Sequence, residues 1–182
     1  MSGGHGHAEH GGNKGIALLI SVLALVLAFS ETLGKAAQTS ALTLNIEASN
    51  LWAFFQAKTI RQTVLRTAAE QAAVSPSSKD SAKQIEAWKK TADRYQSEPE
   101  TNEGRKELAD RAKAAEAKRD RAMAAYHQYE LASAAVQIAI VLASAAIITG
   151  AMALTWIGIG LGVVGVIFCL IGFFAPTAIH LF

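Results

Sequence analysis

Apolar residues are distributed so unevenly along this chain that they divide it before any motif is considered. Residues 16–30, 132–154 and 156–175 contain no Asp, Glu, Lys, Arg or His, and each approaches the roughly 20 residues needed to cross about 30 Å of hydrocarbon. Between the first two runs lies a charged, alanine-rich block with helical spacing. Leu44, Ala48, Leu51 and Phe55 step by four, three and four, and Ala53, Ala57, Ile60, Val64 and Ala68 continue a neighbouring stripe. No proline occurs before Pro76, so the first apolar run is expected to continue unbroken into a helix rising about 60 Å at 1.5 Å per residue.

Two breaks interrupt the pattern. At Ser75, Pro76, Ser77 and Ser78 the proline removes a backbone donor and the serines can cap the next helix. That shorter helix, over 80–96, carries Ile85, Trp88, Ala92 and Tyr95 on one side. Next, Ser97, Glu98, Pro99 and Glu100 fit a capping box, with the 101–104 stretch able to delay the subsequent helix by a turn. From Arg105 onward Leu108, Ala112, Ala115, Arg119, Ala122, Tyr126 and Tyr129 form a coiled-coil-like seam. On its solvated faces Lys106 pairs with Asp110, Glu107 with Arg111, and Glu116 with Arg119, at about 0.2–0.5 kcal/mol each.

The expected fold is an all-α membrane protein with three transmembrane helices and a long antiparallel helical hairpin between the first and second. Its segments are a flexible Gly/His-rich tail (1–14), a first span (15–33), the extramembrane hairpin (34–131), a second span (132–154), a turn near Thr155, a third span (156–175) and a carboxyl-terminal tail (176–182). Ala28, Phe29 and Ser30 resemble the end of a secretory signal peptide, but the preceding Gly/His-rich stretch with its single Lys14 lacks the usual basic character, and retention is expected.

Composition narrows the partners. The chain has 17 basic and 15 acidic residues, a net charge of +2, with the signs interleaved; nucleic acid, which needs clustered cations, is not an expected partner. Cys169 is the only cysteine and lies in the third apolar run, so no disulfide framework can form within the chain. The lipid bilayer is the first partner. The chain itself, or other membrane-protein subunits, is the second.

The strings over 50–62 (NLWAFFQAKTIRQ), 91–111 (TADRYQSEPETNEGRKELADR) and 136–150 (VQIAIVLASAAIITG) resemble a bacterial membrane family, domain of unknown function 4337. The resemblance runs from the first span onward and implies a three-pass inner-membrane protein with a helical insertion after the first span. It implies no activity. The chain departs from the family in its amino-terminal tail, where other members tend to be more basic.

Small residues are the clearest interaction signal. Gly158, Gly162, Gly165, Cys169 and Gly172 share one face of the third span, and Ala135, Ala139, Ala143, Ala146, Gly150 and Ala153 share one face of the second. Such faces let helix backbones approach closely in lipid. They can pack within the chain or between chains. Gly160, Gly162 and Gly165 also spell a dinucleotide fingerprint, which is void without a preceding strand. Leu51, Trp52, Phe54 and Phe55, with Trp88 and Tyr95 on the shorter helix, are either hairpin core or a partner patch. Trp156 fits an interfacial belt. Gln137, the amide inside the apolar runs, either bonds across helices or sits hydrated at the interface. His5, His7 and His10 have metal-ligand spacing, but a solvated tail without a supporting shell is the plainer reading.

No nucleophile with an adjacent base, no carboxylate pair in a cleft and no phosphate loop can be assembled, and no cofactor is expected. The expectation is a non-enzymatic membrane scaffold or accessory subunit. An oligomeric channel or transporter element is the alternative, disfavoured because no span carries an ionisable residue, and metal handling through the histidine tail is a third.

Overall fold

The computed structural model describes residues 8–74 and 79–178, with side chains over 14–74 and 81–178. Among them are four helices and no strand: α1 (Ala8–Val74), α2 (Lys79–Gln96), α3 (Arg105–Thr149) and α4 (Met152–Phe174). Helix α1 is already formed at Ala8, so residues 8–14, expected as tail, are helical. The expected break at 75–78 lies outside the described residues. Both α1 and α3 are unbroken where the apolar runs meet the charged block, through 30–38 and 126–136. Hydroxyl side chains along α1 do not interrupt it, because they bond back to carbonyls one turn earlier, as Thr32 does to Ala28 (2.7 Å) and Thr39 to Lys35 (2.9 Å).

The chain forms two compact units, Met1–Ala41 with Asp120–Phe182, and Leu42–Arg119. In the first, segments of α1, α3 and α4 are each long and apolar enough to cross a membrane. Its interior is built on small side chains. Ala132, Val136, Ala139, Ala143 and Ala146 of α3 are buried at alternating steps of four and three; Ile16 packs on Ala143 and Ala146, and Leu23 on Val136 and Ala139.

The turn between α3 and α4 lies earlier than Thr155. Helix α3 stops at Thr149 because Gly150 adopts a left-handed φ of 70° and returns its N–H to the Ala146 carbonyl (2.9 Å), a conformation a side chain would strain. Gly150 is therefore a helix terminator and not part of the packing face. Thr155 is buried inside α4.

In the second unit Leu51, Leu108 and Ala112 form the core, with Trp52 and Phe55 packed against it. Helix α2 turns Ala92 fully inward, flanked by half-buried Ile85, Trp88 and Tyr95. The capping box expected at Ser97 and Glu100 does not form, since α3 begins only at Arg105, where the Leu108 N–H bonds the Gly104 carbonyl (2.8 Å). Glu107 closes the loop instead, accepting the Ser97 hydroxyl (2.6 Å) and the Glu98 backbone N–H (3.1 Å). Asn102, at φ 56°, makes the intervening bend.

Candidate functional sites in the two units

In the first unit the glycines of α4 lie against the other two helices. A side-chain carbon at Gly158 would stand 3.1 Å from the Ala139 carbonyl oxygen, and one at Gly165 would stand 3.1 Å from that of Ala132 and 2.5 Å from the Val136 side chain. At Gly172 it would meet Tyr129 (3.0 Å) and Gln128 (3.1 Å), and at Gly162 it would meet Leu23 of α1 (2.6 Å). These approaches need the missing side chain, because the obstacles at Gly158 and Gly165 include main-chain oxygens that cannot rotate away. Gly160, by contrast, has open space around it. Tyr129, the last position of the expected seam of α3, is buried, with Gly34 and Gly172 against it. Gln137 donates from Nε2 to Glu31 Oε1 across α1 and α3 (3.3 Å).

The second unit holds a different arrangement. The seam of α1 does not move outward to Ala53, Ile60 and Val64 after Phe55. It continues in register to Lys58 and Gln62, both buried. The Lys58 ammonium lies 3.4 Å from Glu98 and 3.8 Å from Glu103, and over the rings of Phe54 (5.4 Å) and Tyr95 (5.1 Å). Gln62 donates to the Ala92 carbonyl (2.9 Å). Arg105 spreads its guanidinium over Thr59 (2.8 Å), Gln62 (2.6 Å) and Gln96 (3.0 Å) while stacking 4.9 Å from the centre of the Phe55 ring. Charge-assisted bonds of this kind are roughly twice as strong as neutral ones.

Farther along the same helices Trp52 Nε1 donates to Glu116 (2.8 Å), Arg119 to Asn45 (3.3 Å) and Arg111 to the Asn102 carbonyl (3.2 Å). Glu107 is thus turned to the loop and Arg111 to a main-chain oxygen, in place of the surface pair expected between them. The Ser97 hydroxyl bond, foremost, and the backbone N–H groups hold the Glu107 carboxyl below its ordinary value of 4.5.

Lys58, Gln62 and Arg105 escaped the sequence reading, although the signal was present: extending the step of the Leu51 and Phe55 stripe by three and then four residues lands on Lys58 and Gln62. Leu51, Trp52 and Phe55 are brought together with Leu108, and Tyr95 joins through Lys58, while Trp88 stays on the inward side of α2. His5 and His7, and the side chain of His10, lie outside the described residues.

Among the described residues every regular element is a helix, and three of the four are long and apolar enough to cross a membrane, which puts the chain in the class of all-α membrane proteins. Residues 12–175 match the family described as Domain of unknown function (DUF4337), and the chain belongs to it. No curated protein and no solved structure matches the chain. Two of the three strings that carry the family resemblance, 50–62 and 91–111, meet around Lys58, Gln62 and Arg105.

Proposed function

We infer that the protein is a non-enzymatic scaffold or accessory subunit of the bacterial inner membrane, with three spans and a helical arm that joins copies of the chain or partner membrane subunits. The antiparallel course of the arm is supported by partners that ascend α1 as they descend α3: Asn45 with Arg119, Trp52 with Glu116, Thr59 with Arg105. One observation carries the scaffold reading. Outside its apolar run α1 keeps Leu42, Ile46, Ile60 and Val64 on its open side, with Ile60 65% and Val64 61% exposed. They form two apolar pairs, each one turn apart, and exposed apolar surface marks interaction sites. The glycine face of α4 supports the same assignment by elimination, since it is occupied by α3 and α1 of its own chain.

Native mass spectrometry from nanodiscs tests the reading. The wild-type chain is expected as a defined oligomer or with a stoichiometric membrane subunit, and Ile60→Glu with Val64→Glu is expected to release single chains of unchanged thermal midpoint. A wild-type protein that is always single and alone contradicts it. Sidedness is assigned from Lys113, Lys118, Arg119 and Arg121, which precede the second apolar run, whereas no Lys or Arg comes after that run; the positive-inside rule assigns the arm to the cytoplasm. Ser49→Cys in a Cys169→Ala background should resist an impermeant maleimide on intact spheroplasts, and labelling from outside reverses the orientation.

A further inference from the structure

Within the first unit α1 and α3 border a cleft of about 310 Å³, whose lining includes Ser30, Glu31, Lys35, Tyr126 and Glu130. That volume is at the low end of the roughly 300–1,000 Å³ typical of small-molecule sites. Glu31 and Glu130 are the first charged residues beyond the apolar runs of α1 and α3. If those runs span the bilayer, the cleft lies at headgroup depth.

Ser30 supplies the independent sign of a ligand. It is 0% exposed and its hydroxyl has no hydrogen-bond partner. Neighbouring hydroxyls on the same helix bond back one turn, Ser21 to Ala17 and Thr32 to Ala28. A buried polar group left unpaired costs about 1–3 kcal/mol, so an acceptor from outside the chain is what the position lacks.

The charges around it define the ligand's chemistry. Lys35 has no ion-pair partner among the described residues. Glu31 accepts from Gln137 through one oxygen, and Glu130 accepts from Tyr126 (3.5 Å) and lies 3.7 Å from His127 Nδ1. Both carboxylates keep lone pairs to spare. One cation and two anions suit a ligand with an anionic group and a donating cation, and disfavour a purely anionic one, whose charge the excess carboxylate opposes.

We propose that this cleft binds the headgroup of a zwitterionic phospholipid with a primary ammonium, the ammonium on Glu31 and Glu130 and the phosphodiester on Lys35 and the Ser30 hydroxyl. The proposal rests on the membrane reading above. A quaternary choline ammonium has no N–H to donate and is the informative control.

The full-length protein is reconstituted with equal parts of ethanolamine, choline and glycerol phospholipids of identical acyl chains, extracted into detergent and weighed natively. Retention of the ethanolamine lipid is expected to exceed that of the choline lipid about tenfold, a difference of about 1.4 kcal/mol. Glu31→Gln with Glu130→Gln should abolish that preference, and Lys35→Met should lower retention of both lipids, helicity being checked for each variant. Equal retention of the three lipids by the wild type overturns the proposal without needing any variant. So does a preference that survives the double substitution in a folded protein, or displacement of the lipid by micromolar free phosphoethanolamine, which would make the occupant a soluble molecule. Release of the chain from membranes by alkaline carbonate would instead remove the membrane reading itself.

Discussion

The two units of this chain solve the same problem, packing helices side by side, with opposite materials. The first brings backbones together by deleting side chains: Gly158 and Gly165 lie on the carbonyls of Ala139 and Ala132, and from Ala132 onward the buried positions of α3 are alanine and valine. The second keeps large side chains and ties them with polar groups, with Lys58, Gln62 and Arg105 at buried or half-buried seam positions. On the proposed reading, with the first unit in lipid and the second in water, solvent accounts for the difference. In lipid, apolar side chains gain nothing by leaving their surroundings, so close van der Waals contact drives helix association. In water, burial of Leu51 and Leu108 supplies the drive, and polar groups on the seam fix register, because each buried group must find its partner.

The largest expected effect breaks the first strategy. Gly158→Leu with Gly165→Leu should cost about 1–3 kcal/mol at each position through overpacking against main-chain oxygens, seen as a lowered melting midpoint in detergent. Gly160→Leu, with open space around it, should leave that midpoint unchanged. Equal effects at all three positions would mean that the glycines matter only for composition.

Breaking the second strategy should cost nearly as much. Arg105→Ala removes bonds to Thr59, Gln62 and Gln96 and leaves the buried Gln62 oxygen short of its donor, at about 1.5–3 kcal/mol. Arg105→Lys should recover little, since a single ammonium cannot reproduce the planar fork. Recovery of wild-type stability by lysine would reduce the network to a charge effect. Trp52→Phe is a gentler cut. It retains the ring packing and loses the bond to Glu116, for about 1 kcal/mol in chemical denaturation.

The smallest effect is electrostatic. Because folding lowers the Glu107 pKa, the carboxylate stabilises the protein above pH 4.5, and that contribution is lost as pH falls through the lowered value. Ser97→Ala removes the main cause, so stability at neutral pH should fall slightly, the acid limb should become shallower, and the two curves should meet below the lowered value. An unchanged acid limb would remove Glu107 from the loop's account.

Periodicity made much of the fold legible. The absence of proline announced the unbroken α1 and α3, and the steps of four and three located Leu108, Ala112, Ala139 and Ala143 among the buried positions. It failed where hydrophobicity and position part company. Lys58 and Gln62 were passed over because a stripe read by apolar residues drifts to Ile60 and Val64, whereas the geometric seam keeps its period regardless of chemistry. The end of α3 was misplaced because Gly150 resembles its alanine neighbours in size and differs from them only in the backbone it permits. Glu100 satisfied a local capping pattern, but Glu107, seven positions later, took the Ser97 hydroxyl. No local window contains that competition.

The central claim is that the small-residue face of α4 is consumed inside the chain while the exposed apolar pairs of α1, Leu42 with Ile46 and Ile60 with Val64, remain for association. Oxidative cross-linking of single cysteines in native membranes tests it most directly, with Ile60→Cys and Gly160→Cys compared in a Cys169→Ala background. The account predicts intermolecular cross-links from position 60, either between copies or to one discrete partner, and none from position 160. Cross-links confined to position 160 would place association on the lipid-facing side of α4 and contradict it.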